Sequence, residues 1–204
     1  MNEHTFIPDT VDPIELEIIR QRLIAIPNLI EKNIERTAFS LLVQEYKDYA
    51  VGLLDAEGTL VTQSRYSLPA FVGNTLGLGV RAGLEIFKPD EMRDGDVFFI
   101  NDVEVLGGHL NDIVMFTPIR ADGKLFGFFA VVVHWIDVGG ATPGSCLSPT
   151  ATEIAQEGIQ YPVMRLVQEG RRLDDIFRLI VKNTRFPDLL IGDIEAQLGG
   201  CLMG

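Results

Sequence analysis

Two of the three histidines in this chain stand in the same short pattern, His109-Leu110-Asn111-Asp112 and His134-Trp135-Ile136-Asp137. Between them the sequence reads as a β-hairpin. Ile113 to Ile119 and Lys124 to Val133 flank a turn at Arg120-Ala121-Asp122-Gly123. If Ile119 pairs with Lys124, His109 falls opposite His134, and opposed residues on adjacent strands lie about 5 Å apart. Asp112 is then close by along the chain. Two imidazoles and a carboxylate at a strand end are a ligand set for Zn, Mn or Fe with positions left open for substrate. The competing reading is plain: a strand-end histidine is commonly a packing or surface residue, and His-x-x-Asp recurs by chance. Spacing alone leaves both open. His4, in a polar N-terminal stretch, is read as a surface residue.

Other polar residues gather near this pattern. Asn101-Asp102 ends the apolar run Val97 to Ile100, and Glu153, Gln156 and Glu157 follow the second histidine motif. They are candidates to support ligands or to act as a general base. Asp137-Val138-Gly139-Gly140-Ala141-Thr142-Pro143-Gly144-Ser145 is a glycine-rich loop that either presents backbone donors to an anion or is a turn. It lacks the Lys-Ser/Thr ending of a P-loop, so any use of ATP has to come from a partner. No histidine lies at a spacing that suggests a serine or cysteine triad. Trp135 is read as a packing residue that orients His134.

The elements that would position these groups are legible from periodicity and turn residues. Asp12-Pro13 opens a helix as N-cap and first helical residue. Pro27 is expected to split it into pieces at about 13–26 and 28–41. Tyr49 to Leu54 and Thr59 to Ser64 form a first hairpin about Asp55-Ala56-Glu57-Gly58. A helix over Thr75 to Phe87 carries Gly77, Gly79 and Gly83, which implies close packing against a neighbour. The continuous apolar character of the second hairpin says that both its faces are covered. Thr152 to Glu157 is a short helix, Asp174 to Lys182 an amphipathic one, and Leu189 to Leu202 a last one after Pro187. The expected class is α+β, with antiparallel hairpins and sheets flanked by helices. Residues 1–11 are read as a tail and 12–204 as a single domain that lacks a C-terminal portion.

Composition narrows the function classes. Among 204 residues, 17 Lys and Arg stand against 29 Asp and Glu, a formal charge of −12. Such a chain has no electrostatic basis for holding a nucleic-acid backbone or an anionic membrane. The longest apolar run, Leu125 to Val133, is too short to span a bilayer. The N-terminus has no signal-peptide pattern, and Cys146 and Cys201 make no disulfide framework. A cytoplasmic location is expected.

Taken in order, these motifs resemble the hydantoinase B/oxoprolinase group, which includes N-methylhydantoinase B and the alpha-type subunits of acetone and acetophenone carboxylases. The resemblance runs from Asp12-Pro13-Ile14-Glu15 and Glu45-Tyr46-Lys47-Asp48-Tyr49 through Gly95-Asp96-Val97-Phe98 and Gly108-His109-Leu110-Asn111-Asp112. It continues with His134-Trp135-Ile136-Asp137-Val138-Gly139-Gly140, Thr142-Pro143-Gly144-Ser145, Ala151-Thr152-Glu153-Ile154, Asn183-Thr184-Arg185 and Gly192-Asp193. It implies the N-terminal part of a larger subunit in a hetero-oligomer. A hydantoinase A-like ATPase would use ATP and Mg to phosphorylate the substrate oxygen. It also implies a divalent metal, typically manganese, at His109, Asp112 and His134. Asp137 or Glu153 would then be the proton acceptor. Departures are Val103-Glu104-Val105-Leu106 in place of small residues, Asn111 where proline is common, and Trp135 where many hydantoinase members have a second histidine.

The expected activity is carboxylation of a ketone at the metal site. The alternatives are hydrolysis of a cyclic amide (a hydantoin, oxoproline or lactam) and a non-catalytic supporting subunit. Spacing alone would also admit a two-histidine, one-carboxylate iron oxygenase, but such sites usually sit in barrels that the terminal helices here do not suit.

Overall fold

In the computed structural model, residues 12–145 and 151–203 are described. The stretch read as a tail, with His4, lies outside them, and so does Cys146. The centre is a pair of long strands, β4 (Asp112–Ala121) and β5 (Lys124–His134). Successive side chains on a strand point to opposite faces. Ile113, Met115, Phe129, Val131 and Val133 therefore enter one core, and Val114, Phe116, Phe128, Ala130 and Val132 enter another. Both faces need a cover, as the unbroken apolar runs imply.

The remaining strands extend this pair on both sides: β1 (Tyr49–Asp55), β2 (Leu60–Gln63), β3 (Val97–Ile100), β6 (Met164–Gln168) and β7 (Arg171–Arg172). All neighbours are antiparallel, in the order β2-β1-β5-β4-β3-β6-β7. One face is covered by α1 (Pro13–Thr37), α5 (Asp174–Lys182) and α6 (Pro187–Met203), through residues such as Ile30, Ile34, Phe177, Ile194 and Leu198. The other is covered by α3 (Leu76–Ile86), through Leu76 and Val80. A Cβ on Gly79 would lie 2.8 Å from Val114, and one on Gly83 would collide with the Phe116 ring. The glycines of α3 are there for close approach, as the sequence implies. The fold is α+β.

Three local expectations change. First, Pro27 does not split α1, which runs unbroken through it. An interior proline costs about 3 kcal/mol. Burial of Ile30 and Ile34 beyond it, at about 1.5–3 kcal/mol each, is enough to offset that. Asn28 also donates its side-chain amide to the Ile24 carbonyl one turn back, at 2.8 Å.

Second, the register of the central hairpin differs. The turn is only Asp122-Gly123, both with positive φ (51° and 75°), the type I′ geometry for which Asp-Gly is suited. Ala121 therefore pairs with Lys124, and a bulge between Ile119 and Arg120 passes over Phe126. The partner of His134 is Asp112, not His109. Third, Thr152 to Glu157 yields only a 3-10 turn at Ile154–Gln156. The β6–β7 hairpin and the four-residue helices α2 (Leu41–Gln44) and α4 (Val103–Leu106) were not anticipated.

Candidate active site

One end of the sheet collects the chemistry. β5 ends at His134, β4 begins at Asp112, and Tyr49 pairs with Val133, so the residue before β1, Asp48, is set beside His134. The Asp48 carbonyl accepts the His134 backbone N–H at 3.0 Å, and its carboxylate lies 3.9 Å from His134 Nδ1. His134 Nδ1 is 2.7 Å from Asp112 Oδ1. On the far side of the ring, Nε2 is 3.2 Å from the Ser145 hydroxyl. Asp112, His134 and Ser145 thus form one hydrogen-bonded chain.

His109 joins from the loop between α4 and β4. Its backbone N–H donates to Asp112 Oδ2 at 2.8 Å, and its carbonyl accepts the Asp112 N–H at 3.0 Å. Gly108 makes this closure feasible, because a Cβ there would stand 2.6 Å from Asp112 Oδ2. The His109 ring is exposed and lies 6.1 Å from that of His134, nearly perpendicular to it. Both histidines and Asp112 are therefore brought together, though by another register than the spacing suggested. Burial pushes the Asp48 carboxyl above its ordinary range. Asp112 adds to the rise, while His134 and His109 oppose it.

Buried amides hold this end of the sheet in place. Asn101, fully buried, donates to the Leu110 and Ile159 carbonyls at 2.7 and 2.9 Å and accepts the Tyr161 N–H. Asn111 donates to the Trp135 carbonyl at 2.6 Å. The buried Trp135 indole donates to Gln197 at 3.0 Å, and Gln197 in turn donates to the Ile113 and Val131 carbonyls at 2.8 and 2.9 Å. Trp135 is a packing residue next to His134, as read from sequence. Asp102 caps α4 through the Glu104 N–H.

The two expected proton acceptors are placed elsewhere. Asp137 is buried and pairs with Arg185 Nη1 at 2.9 Å. It also accepts the backbone N–H groups of Gly139 and Arg185, at 3.1 and 2.6 Å, and the Thr184 hydroxyl at 3.4 Å. Its oxygens are committed to tying the loop after β5 to the segment before α6. Glu153 is exposed at the start of the 3-10 turn. Neither is among the described residues lining the cavities at His134. Gln156 accepts the Thr152 N–H, and its carbonyl accepts that of Ala141.

Sequence reasoning missed Asp48 and Ser145. Asp48 carries no signal by spacing, because it is 61 residues before His109 and arrives only through the β1–β5 pairing. Ser145 was legible only as part of a glycine-rich loop.

Two cavities reach these groups. One, of about 370 Å³, is lined by Asp48, His109, Asp112, His134 and Ser145 together with Phe71 and Thr75. The other, of about 570 Å³, opens on Asp48, His134 and Ser145, and its walls are otherwise apolar. Among the described residues no three His, Cys, Asp or Glu side chains are arranged to hold a metal ion. Asp112 and His134 direct their atoms at one another instead. By chemistry, two imidazoles with the carboxylates of Asp48 and Asp112 nevertheless suit a divalent ion. No helix among the described residues is long and apolar enough to cross a membrane.

Fold and site together define the class, and comparison with known proteins agrees. Residues 12–204 match the family Hydantoinase B/oxoprolinase, and the chain belongs to it. It is 31% identical to the beta subunit of the caprolactamase of Pseudomonas jessenii, over 96% of this chain and 33% of that protein. It is 27% identical to the B-type component of a putative D-/L-hydantoinase of a Pseudomonas species, over 95% of this chain and 33% of that protein. The chain thus spans about a third of the length of these relatives. The crystal structure of the ATP-dependent caprolactamase from Pseudomonas jessenii superposes with a TM-score of 0.79 at 30% identity, over 95% of this chain and 33% of that one. Nucleotide-free acetone carboxylase gives 0.85 at 23% identity, over 94% and 25%, a likeness of fold.

Proposed function

We propose that this chain is the N-terminal part of a subunit of a cytoplasmic, ATP-dependent, multisubunit enzyme that opens a cyclic amide. A hydantoinase A-like partner phosphorylates the amide oxygen, and the site at Asp48, His109, Asp112, His134 and Ser145 receives the activated ring. The observation that carries this reading is the His134 ring, held between Asp112 and Ser145 at the mouth of an apolar cavity. The cyclic-amide substrate is favoured over ketone carboxylation by the relatives at 27–31% identity, a caprolactamase and a hydantoinase. Acetone carboxylase supports the fold alone.

Ring opening needs a base to take a proton from attacking water and an acid to return one to the departing ring nitrogen; the acyl phosphate so formed is hydrolysed by a second water, which releases phosphate and the free carboxylate. Asp112 holds His134 through Nδ1 and leaves Nε2 facing the cavity side, where it can serve both tasks in turn. Asp48, half-buried beside it, is a second proton carrier in place of Asp137 and Glu153. A resident ion would draw on these same lone pairs in place of that proton relay: Asp48, His109, Asp112 and His134 would hold a divalent Mn, Zn or Fe ion, which when bound supplies Lewis-acid stabilisation of negative charge on the substrate oxygen.

The hydrogen-bonded Asp112–His134–Ser145 chain favours a second reading, with Ser145 as nucleophile on the activated carbonyl. Both readings draw on the same His134 and Asp112 atoms, so stripping bound metal with a chelator, removing the chelator and assaying with only Mg²⁺ restored for the ATPase separates them. With a resident ion, chelator abolishes activity, metal content falls in His109→Ala, and Ser145→Ala keeps most of the rate. With a serine nucleophile, chelator changes little and Ser145→Ala loses about 10⁴-fold or more. The primary test is ATP-dependent ring opening by the complete complex, followed as ADP release together with the amino acid formed from a lactam or the N-carbamoyl amino acid formed from a hydantoin. Carboxylation of a ketone with no ring opening would reject the cyclic-amide reading. Full activity after His134→Ala would mark the chain as a supporting subunit.

A further inference from the structure

We propose that Glu35 is a positioning residue for Asp48: from helix α1 it grips the residues on either side of that aspartate and so sets the carboxylate beside His134. This rests on the reading of Asp48 as a working group of the site and adds the element that holds it there. Glu35 follows Ile34, whose side chain is fully buried, so packing fixes its place on α1. Its Oε1 accepts the Tyr49 hydroxyl at 2.6 Å and lies 2.9 Å from Lys47 Nζ. Burial raises the Glu35 carboxyl, but the hydrogen bonds from Tyr49 and Lys47 outweigh it and leave the group below its ordinary range. Both contacts are therefore made to a charged acceptor, the stronger kind.

Lys47 needs such a grip. Its φ is 57°, in the left-handed region that residues other than Gly, Asn and Asp adopt only at a cost. A residue persists there when its surroundings over-determine it. This left-handed step turns the chain from α2 into β1. The Asp48 N–H thereby reaches the Leu42 carbonyl at 2.9 Å, and the Asp48 carbonyl accepts the His134 N–H at 3.0 Å. The Asp48 carboxylate then stands 3.9 Å from His134 Nδ1. On the other side of Asp48, the buried Tyr49 carries its hydroxyl to the same Glu35 oxygen. Were Lys47 to relax to negative φ, the chain at Asp48 would be redirected and these contacts would be lost together.

The test uses the complete protein, purified with the subunits that accompany it. Glu35→Ala should lower kcat by about 10- to 100-fold and change KM by less than about twofold. Amide exchange gives a readout independent of turnover: the Asp48 and His134 N–H groups should exchange at least about tenfold faster. Glu35→Gln keeps an acceptor for Tyr49 but loses the charge, and should fall between the parent and Glu35→Ala on both measures. Glycine adopts positive φ without strain, so adding Lys47→Gly to Glu35→Ala should restore the rate to within about threefold of the parent. Arg36→Ala, exposed on the same turn of α1, should alter neither rate nor exchange. Unchanged exchange in Glu35→Ala would overturn the inference. So would an equal loss in Arg36→Ala, a double variant no faster than Glu35→Ala, or an unchanged rate in Glu35→Ala where Asp48→Asn is slow. If Asp48→Asn keeps full activity while Glu35→Ala still frees these two amides, the role given to Asp48 falls and its positioning by Glu35 stands.

Discussion

The two His-x-x-Asp segments are alike in sequence and opposite in fate. In the first, the aspartate opens β4 and faces His134 across the ladder, with a 2.7 Å hydrogen bond. In the second, the aspartate lies three residues past the end of β5, where Arg185 and two backbone N–H groups capture it. The hydrogen-bonded acid–imidazole pair is therefore not within either segment. It is the acid of the first with the imidazole of the second, joined across strands. Asp112 orients the His134 imidazole, whereas Asp137 fastens a loop.

That contrast can be broken or sharpened by substitution. The largest expected effect is His134→Ala, which should lower turnover of the complete enzyme by about 100- to 10,000-fold while its unfolding midpoint moves little. Asp112→Asn should retain fold and ring-binding but lose nearly as much rate, because the amide no longer holds the imidazole in one tautomer. Equal rates for Asp112→Asn and Asp137→Asn would erase the distinction drawn between the two segments.

Asp137→Ala should act on stability instead. It strands Arg185 and two backbone donors, and denaturant unfolding should show a loss of about 2–4 kcal/mol, with the rate per folded molecule preserved. The partly exposed Arg185 keeps this below the cost of a fully buried pair. Trp135→Phe removes the indole bond to Gln197, and unfolding should show about 1–2 kcal/mol lost, with a smaller effect on rate. Glu153→Gln, at an exposed turn, should change stability by no more than about 0.5 kcal/mol and leave turnover as it was.

Much of the scaffold was legible because local patterns agree with it. β3 and α5 begin and end where periodicity and turn residues put them, since their signals are local: a four-residue apolar run after Asp94-Gly95-Asp96, and an amphipathic stretch before Asn183. The unsplit α1 was not legible, because the burial of Ile30 and Ile34 that outweighs Pro27 comes from α6 and the sheet, remote along the chain. The hairpin register was misread by treating four residues as the turn when Asp122-Gly123 alone accepts two positive φ angles.

For the site, His109, Asp112 and His134 could be named from residue type and order, and the fold gathers them at one strand end, His109 joining Asp112 through its backbone. Asp48 and Ser145 could not, since no spacing joins them to the histidines. The amino-acid order by itself determined the apolar alternation, the turns and the reservoir of imidazoles and carboxylates, all of which act over a few neighbouring residues. Which carboxylate meets which imidazole was settled by tertiary structure alone. A bulge at Ile119, the β1–β5 pairing and the grip of Arg185 on Asp137 operate between residues remote along the chain, and strand-end side chains exchange partners with each step of register.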